Sequence, residues 1–456
     1  MPQMNIEQKR TLSPQEATKQ GLPAGGLYTK VDITELQNKH DAYSALRREY
    51  MSKLCLYKDV QSGWNDYVIE KVEKMINNLE LRADLLKNFQ YINILKQIID
   101  TLSSAYQSNV KRVSDDELAL SLYEDKLDVN LLQLDRYSHL FNTCFLHIQL
   151  KEDKPFYEIV TPNRIYACLD DIYQNDVQRA EYIAIEYYTS QTEHTGKNSE
   201  TVYLLYRREQ DGFVYGYKVD SNFNILETRV EKLRDYPITK LDLDPISADF
   251  FPVGNDNLVE YPIFCLVLQS YVGLSFKYSA VPVGFTTIPY DKDKGPLNVG
   301  PGVLIQSTTP DQKFEFISSS LDHNDLARFV IDRLKEWAKT YNIPSDNFNI
   351  SSELSSGIAR QIARKPLSDY INQRVKVLEY FEQQLYHLVI RFLNDCNIGY
   401  SLNEDADFLV KIEYTDVVQT PKEKVEVQTM KFDLAQKMVA AGLFSDIQQA
   451  MELIDG

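Results

Sequence analysis

A run of about thirty residues, 368–397, constrains the fold more than any other part of this chain. Along it Ile371, Val375, Leu378, Phe381, Leu385, Leu388 and Phe392 recur at spacings of three and four, which sets them on one stripe of a helix. At ~1.5 Å per residue that helix is roughly 45 Å long. Upstream of it lie a Gly300-Pro301-Gly302 turn, a short apolar strand at Val303-Leu304-Ile305, a helical pattern over 322–341, a polar loop opening at Ile343-Pro344, and Ser355-Ser356-Gly357-Ile358-Ala359. None of these pieces carries catalytic chemistry. A long stiff helix joined through a loop to a second helix is the architecture of a mechanical part.

With 456 residues, the chain exceeds the size at which one hydrophobic core keeps growing, so two or three lobes are expected. Its 43% hydrophobic and 25% charged content is that of an ordinary globular protein able to bury large cores. Basic residues number 49 against 66 acidic ones, for a net charge of −17. That balance argues against a basic DNA-binding surface and against a tight grip on any nucleic acid. Cys55, Cys144, Cys168, Cys265 and Cys396 are widely spaced and never form a C-x-x-C pair. They read as small buried hydrophobes, not as a disulfide framework or a zinc site. The nearest approach to a membrane span, 261–276, falls short of the roughly 20 residues required. The first residues include Glu7, Lys9 and Arg10 and have no apolar export core. No membrane partner and a cytoplasmic origin are therefore expected.

Residues 1–30 are polar, with Gly21, Pro23, Gly25 and Gly26, and read as an arm that is flexible or ordered only against a partner. Helical periodicity follows. Ile33, Leu36, Leu46, Tyr50 and Leu54 begin it, Ile92, Leu95, Ile98, Ile99, Leu102 and Tyr106 form a stripe, and Leu131, Leu134, Leu140, Phe141, Cys144 and Ile148 continue it in a later helix. From Pro155 the period changes. The runs 156–160, 165–169, 182–189, 202–207 and 213–219 are short, β-branched and aromatic, and separated by turn signals such as Thr161-Pro162-Asn163 and Asp211-Gly212. They predict a meandering antiparallel sheet with a hairpin at Asp211-Gly212. Their many tyrosines suit a half-exposed sheet better than base stacking.

The stretch 257–276 fits either a helix with Pro262 in its first turn or a buried strand pair. Residues 281–290 look β-like and lead into Asp291-Lys292-Asp293-Lys294-Gly295-Pro296, an exposed loop tip or a contact surface. Beyond the long helix, 408–414 alternates as a strand and Thr420-Pro421 breaks the chain. A helix over 422–441 then ends at Gly442, and Ser445 caps a last short helix over 446–454.

His40, His139, His147, His194, His323 and His387 are scattered, with no H-E-x-x-H and no pair at helical spacing. They read as structural or surface residues, and no metal is expected. No G-x-G-x-x-G after a strand, G-x-x-x-x-G-K-[ST] or G-x-S-x-G occurs. Ser355-Ser356-Gly357 precedes a helix and reads as a cap, not a nucleophile. The expectation is a protein that is no enzyme and uses no cofactor.

The order of these parts resembles the portal proteins of tailed bacteriophages. Four places carry the resemblance. Residues 94–110 look like the family's early helix. Residues 156–171, with Thr161-Pro162-Asn163-Arg164, look like the strand-turn-strand of its wing. Residues 300–359, through Phe314-Glu315-Phe316-Ile317, Asn342-Ile343-Pro344 and Ser356-Gly357-Ile358-Ala359, look like the passage from clip through stem helix to tunnel loop. Residues 416–453, with Ala440-Ala441-Gly442-Leu443-Phe444-Ser445, look like its C-terminal segment. The resemblance spans most of the chain, and the order of the motifs is what carries it.

It implies an α+β, portal-like fold. The parts would be an arm (1–30), a helical wing with an antiparallel β-sheet (31–250), a first stem segment (251–281), a small clip (282–318), a second stem helix (319–342), a tunnel loop (343–357), a long linking helix with a wing return strand (358–415), and a crown-like helical tail (416–456). It also implies a homo-oligomeric ring, usually of twelve subunits, at one capsid vertex of the virion and assembled in the host cytoplasm. Double-stranded DNA would be packaged and ejected through it, and its partners would be the terminase large subunit, the major capsid protein and a head-tail adaptor. Twelve copies at −17 each would carry roughly 200 negative charges, a wall along which a duplex slides instead of adhering.

On this resemblance Leu326, Phe329, Val330, Leu334 and Trp337 would pack the second stem helix against neighbours, and Asp325, Arg328, Arg333 and Lys335 would face solvent or the channel. Asp346, Asn347, Asn349 and Glu353 of the tunnel loop would face DNA without a Lys or Arg among them. Arg360, Arg364 and Lys365, just after it, would contact phosphate or pair with carboxylates of an adjacent subunit. Lys292, Asp293 and Lys294 in the clip would meet terminase or the adaptor. The sequence departs from the family pattern over 257–295, a short segment with Pro262, Pro282 and Pro289. The competing reading is a non-portal structural or adaptor protein of a prophage or gene-transfer particle.

Overall fold

The computed structural model describes residues 11–12, 44–169 apart from 90 and 108, 175–188, 201–221, 224–229, 232–244, 249–252, 256–280, 283–286, 314–317, 323–344, 357–399, 401–414 and scattered positions between 429 and 439. In chain order, β1 (Thr11–Leu12) is followed by α1 (Ser44–Lys58), α2 (Gln61–Met75), α3 (Leu79–Asn88) and α4 (Ile94–Leu102). Next come β2 (Asn109–Ser114), α5 (Glu117–Tyr123) and α6 (Leu127–Phe141). A run of strands follows: β3 (Thr143–Lys151), β4 (Lys154–Val160), β5 (Ile165–Cys168), β6 (Tyr182–Tyr188), β7 (Thr201–Arg208), β8 (Val214–Asp220), β9 (Ile225–Arg229) and β10 (Ile238–Asp242). Then α7 (Asp256–Ala280), β11 (Val283–Thr286), β12 (Phe314–Ile317), α8 (His323–Thr340), α9 (Gly357–Asp395) and β13 (Phe408–Glu413) complete the described elements. The fold is α+β, and the chain forms two compact units, one of residues 1–54, 97–254 and 339–456, the other of 55–96 and 255–338.

In the first unit an antiparallel sheet runs in the order β1-β9-β8-β7-β6-β5. Its β7–β8 hairpin turns at Asp211-Gly212, where Gly212 has φ +83°, a left-handed conformation that glycine adopts without a Cβ penalty. A second sheet, β10-β3-β4, packs against α6, which buries Leu131, Leu134, Leu140 and Phe141. The third ladder joins β2 to β13 antiparallel. Phe408, Val410 and Ile412 alternate inward from it onto α9, all seven stripe residues of which are buried. Each such side chain contributes about 1.5–3 kcal/mol of burial. Tyr386 of α9 stacks on Phe408 with ring centroids 4.2 Å apart, and its hydroxyl is 2.8 Å from that of Ser114 on β2.

In the second unit α7 is apolar on nearly every side, the pattern of a helix that must be covered all round. It buries Leu258, Val259, Ile263, Leu266 and Val267, while α8 buries Val330, Leu334, Trp337 and Ala338. Tyr261 of α7 and Trp337 of α8 stack at 5.5 Å, and Lys71 of α2 pairs with Glu260 of α7. Beyond α7, β11 pairs antiparallel with β12, Val283 opposite Ile317 and Thr286 opposite Phe314. Residues 287–313, which connect these two strands, lie outside the described residues.

Several expectations change. The sheet begins before Pro155, because α6 stops at Phe141, where Asn142 takes the left-handed conformation at φ +66°. Cys144 and Ile148 then belong to β3, whose first six residues are all buried and so show no alternation. The helix expected over 94–110 ends at Leu102, and Val110 lies in β2. Ile92 lies outside α4 and is exposed, whereas Leu95, Ile98, Ile99, Leu102 and Tyr106 are buried as the stripe required. Of the two readings of 257–276 the helix holds, as a helix of 25 residues, with Pro262 in its second turn instead of its first. Its window Asp256–Leu274 is long and apolar enough to cross a membrane by length and composition, where 261–276 alone had fallen short. The long helix starts at Gly357 instead of 368 and spans 39 residues with Pro366 inside it, about 58 Å end to end. Within the arm, Thr11–Leu12 pairs with β9 of the same chain. Ile33, Leu36 and the C-terminal elements over 422–454 lie almost wholly outside the described residues.

Candidate channel segments and the helix that carries them

The sequence-derived site residues fall into three groups. Lys292, Asp293 and Lys294 lie outside the described residues, in the excursion between β11 and β12. Asp346, Asn347, Asn349 and Glu353 also lie outside them, between Pro344, which follows α8, and Gly357, which opens α9. Arg360, Arg364 and Lys365 are on the first turns of α9, with Lys365 exposed and Arg364 half-buried. Lys365 borders a cleft of about 390 Å³ lined also by Asn342, Pro366, Asp369, Tyr370 and Gln373. On α8, Asp325, Arg328 and Arg333 are exposed and Val330, Leu334 and Trp337 buried, while Phe329 stays half-exposed beneath the Arg333 guanidinium.

What fixes α9 in the first unit is a series of ion pairs that the sequence reading did not single out. Arg374 donates from Nε to Asp135 Oδ1 of α6 at 2.9 Å and from Nη2 to Ser138 Oγ at 2.7 Å. Its Nη1 donates to the Asp242 carbonyl at the end of β10 at 2.8 Å. Two turns on, Glu382 accepts from Arg112 Nε of β2 at 2.7 Å, and Arg112 also donates to Asp128 at 2.6 Å. Burial pushes the Glu382 carboxyl up, and the Arg112 guanidinium opposes that rise. At the C-terminal end, Asp395 accepts from Arg234 Nε at 2.7 Å, and Glu404 takes another Arg234 donor at 2.7 Å. The signal for these residues was a charge set beside an apolar stripe, Arg374 next to Val375 and Glu382 next to Phe381.

The Thr161-Pro162-Asn163-Arg164 motif is a second junction. It forms a single 3₁₀ turn from which Arg164 reaches the Glu186 carbonyl at 3.1 Å and Glu158 Oε1 at 3.0 Å. Arg47 of α1 donates to the Asn163 carbonyl at 2.8 Å, pairs with Glu186, and lies over the Tyr166 ring. Burial opposes the charge of Glu158, but His147, Arg164 and the Tyr187 hydroxyl outweigh it and hold the carboxyl down at about 2.

Among the described residues, the two fully buried histidines are accounted for by packing. His139 contacts the Asp135 carbonyl and the Tyr370 hydroxyl, and burial lowers its proton affinity. His147 bonds to the Tyr206 hydroxyl at 2.8 Å. Among the described residues no group of His, Cys, Asp or Glu could hold a metal ion. The five cysteines are free, four of them buried. The arrangement is a long helix braced at three levels, with Arg360, Arg364 and Lys365 in its first turns.

No family model matches the sequence, and no curated protein matches it. Among solved structures, a chain of the virion of the native gene transfer agent (GTA) particle is similar at 11% identity and a TM-score of 0.41, covering 77% of this chain and 86% of that one. A chain of the neck of the empty GTA particle computed with C6 symmetry is similar at 10% identity and a TM-score of 0.44, covering 79% and 90%.

Proposed function

We propose that this chain is the subunit of a phage-type portal, a structural and non-enzymatic ring of about twelve copies at one capsid vertex of the virion. Double-stranded DNA would pass through the ring in packaging and ejection, with terminase docking first and a head-tail adaptor later. The observation that carries this reading is the order α7, β11–β12 ladder, α8, 345–356, α9. It sets two helices around an excursion that closes on one ladder, then a polar connection, then a braced helix of 39 residues. In the portal reading these are the two stem helices, the clip, the tunnel loop and the linking helix. The net charge of −17 per copy supports it, because a channel wall must not hold the phosphates that pass it.

Lys292, Asp293 and Lys294 would meet terminase or the adaptor, and Asp346, Asn347, Asn349 and Glu353 would face the duplex. Arg360, Arg364 and Lys365, just after that loop in sequence, would contact phosphate or pair with carboxylates of an adjacent subunit. Mass photometry of the purified chain at micromolar concentration and physiological salt tests the proposal. Particles of about twelve chain masses are expected, and monomers alone would overturn it.

A further inference from the structure

We propose that Lys240 and Asn175 become joined by an isopeptide bond that the folded chain forms by itself, with Asp242 relaying the protons. The proposal is independent of the portal reading and lies wholly within the first unit. Lys240 and Asp242 alternate with Leu241 on β10, so their side chains leave the strand on one face. Asp242 Oδ2 is 3.1 Å from Lys240 Nζ, with side-chain exposures of 11% and 5%. Lys240 Nζ also donates to Asn175 Oδ1 and, at 3.1 Å, to the Asp249 carbonyl. A clamped turn sets Asn175 there. Asp176 caps the 3₁₀ turn Val177–Arg179, and Gln178 within it grips the chain entering β10. The Gln178 amide donates to the Tyr236 and Ile238 carbonyls at 3.0 and 3.2 Å and accepts from the Tyr236 N–H at 2.8 Å. The ring of Phe250, itself packed on Phe145, covers the amine with its centroid 5.2 Å from Nζ.

These surroundings favour neutral partners. Burial lowers the proton affinity of the Lys240 amine, with Asp242 and Asp249 opposing it. Burial likewise raises the Asp242 carboxyl, against the pull of Lys240, Thr143 and Asn175. A proton passing from Nζ to Asp242 leaves an uncharged amine against a carboxamide, in a site that penalises the charged forms. Turning about Cε–Nζ, the amine lone pair attacks Asn175 Cγ while Asp242 protonates the amide oxygen. Asp242 next takes a proton from Nζ and hands it to the leaving nitrogen. The carbonyl re-forms and returns its proton to Asp242 as the Cγ–Nδ2 bond breaks, and ammonia departs with that proton as ammonium. One C–N bond forms and one breaks, so no oxidant or other co-reactant is needed. Holding amine and carboxamide in contact supplies what a bimolecular aminolysis lacks. The link would close the chain around β6, β7, β8 and β9, four strands of the six-stranded sheet. Such a closure constrains the unfolded chain as a disulfide does, and thiol reductants do not open it.

Mass spectrometry of the purified full chain tests this. The intact wild type should be lighter by one ammonia than its sequence requires, and a protease digest should contain one branched peptide joining residue 175 to residue 240. Lys240→Arg, Asn175→Ala and Asp242→Asn should each show their full sequence mass and no branched peptide. A wild type of full sequence mass would overturn the proposal and leave Lys240 and Asp242 as an ordinary buried ion pair. Loss of one ammonia without the branched peptide would overturn it as well, since the loss would then lie elsewhere. A branched peptide that persists in Asp242→Asn would remove the role assigned to Asp242. The wild-type digest decides whether the bond exists even where a variant fails to fold.

Discussion

Arg374 on α9 and Asp135 on α6 form an ion pair at 2.9 Å with side-chain exposures of 3% and 0%. Two charges are held where water does not reach; the guanidinium also donates to Ser138 Oγ and the Asp242 carbonyl, while Asp135 Oδ2 is left without a hydrogen-bond partner among the described residues. Removing one partner of such a pair leaves a buried charge uncompensated, at a cost of about 3–5 kcal/mol. Arg374→Ala should therefore lower the unfolding free energy measured by denaturant titration by that order. Arg374→Met with Asp135→Leu should recover most of the loss. Equal destabilisation by the single and double changes would show that the pair is not what braces α9.

Glu158 gives a prediction about acid. Its carboxyl is held at about 2, below the ordinary carboxylate range, so its contribution is fully present above pH ~5 and is lost as pH falls toward ~2. The shift corresponds to as much as about 3 kcal/mol. In urea titrations the stability gap between the wild type and Glu158→Gln should be widest near pH 6 and close on acidification. A gap that does not change with pH would contradict the assignment of His147 and Arg164 as its cause.

Gly63 of α2 offers a test of close packing. A Cβ placed there would stand 2.3 Å from Cys55 Sγ, which no ordinary contact permits. Gly63→Ala should destabilise the chain by about 1–3 kcal/mol, and adding Cys55→Ala should relieve part of that, giving a non-additive pair in a double-mutant cycle. Strict additivity would refute the contact.

The basic residues at the start of α9 test the channel assignment. Changing Arg360, Arg364 and Lys365 together to Ala should leave ring mass unaltered while lowering DNA retention in packaged heads, since each lost phosphate contact removes a charge-dependent increment of affinity. Failed ring assembly would assign the three residues to contacts between subunits instead, and intact rings with unchanged packaging and retention would refute the phosphate contact.

Much of this fold could be read from local pattern. The seven-residue stripe on α9, the buried face of α8 and the Asp211-Gly212 turn each declare themselves within a single continuous segment. β3 did not, because a strand buried on both faces loses the alternation that marks strands, and its apolar residues ran on from the stripe of α6. β2 did not either, since its partner β13 lies some three hundred residues away in sequence. The braces at Arg374, Glu382 and Asp395 are equally non-local: sequence shows a charge beside an apolar stripe, but not the residue that neutralises it. For the residues that the portal reading assigns to a clip and a tunnel loop, composition and order were all the sequence could offer, and Lys292 and Asp346 lie outside the described residues.

The most direct test of the portal reading is an end-on electron micrograph of the purified chain. It should show a closed ring of about twelve subunits around an opening wide enough for a DNA duplex. Isolated monomers, or compact particles without a central opening, would contradict it.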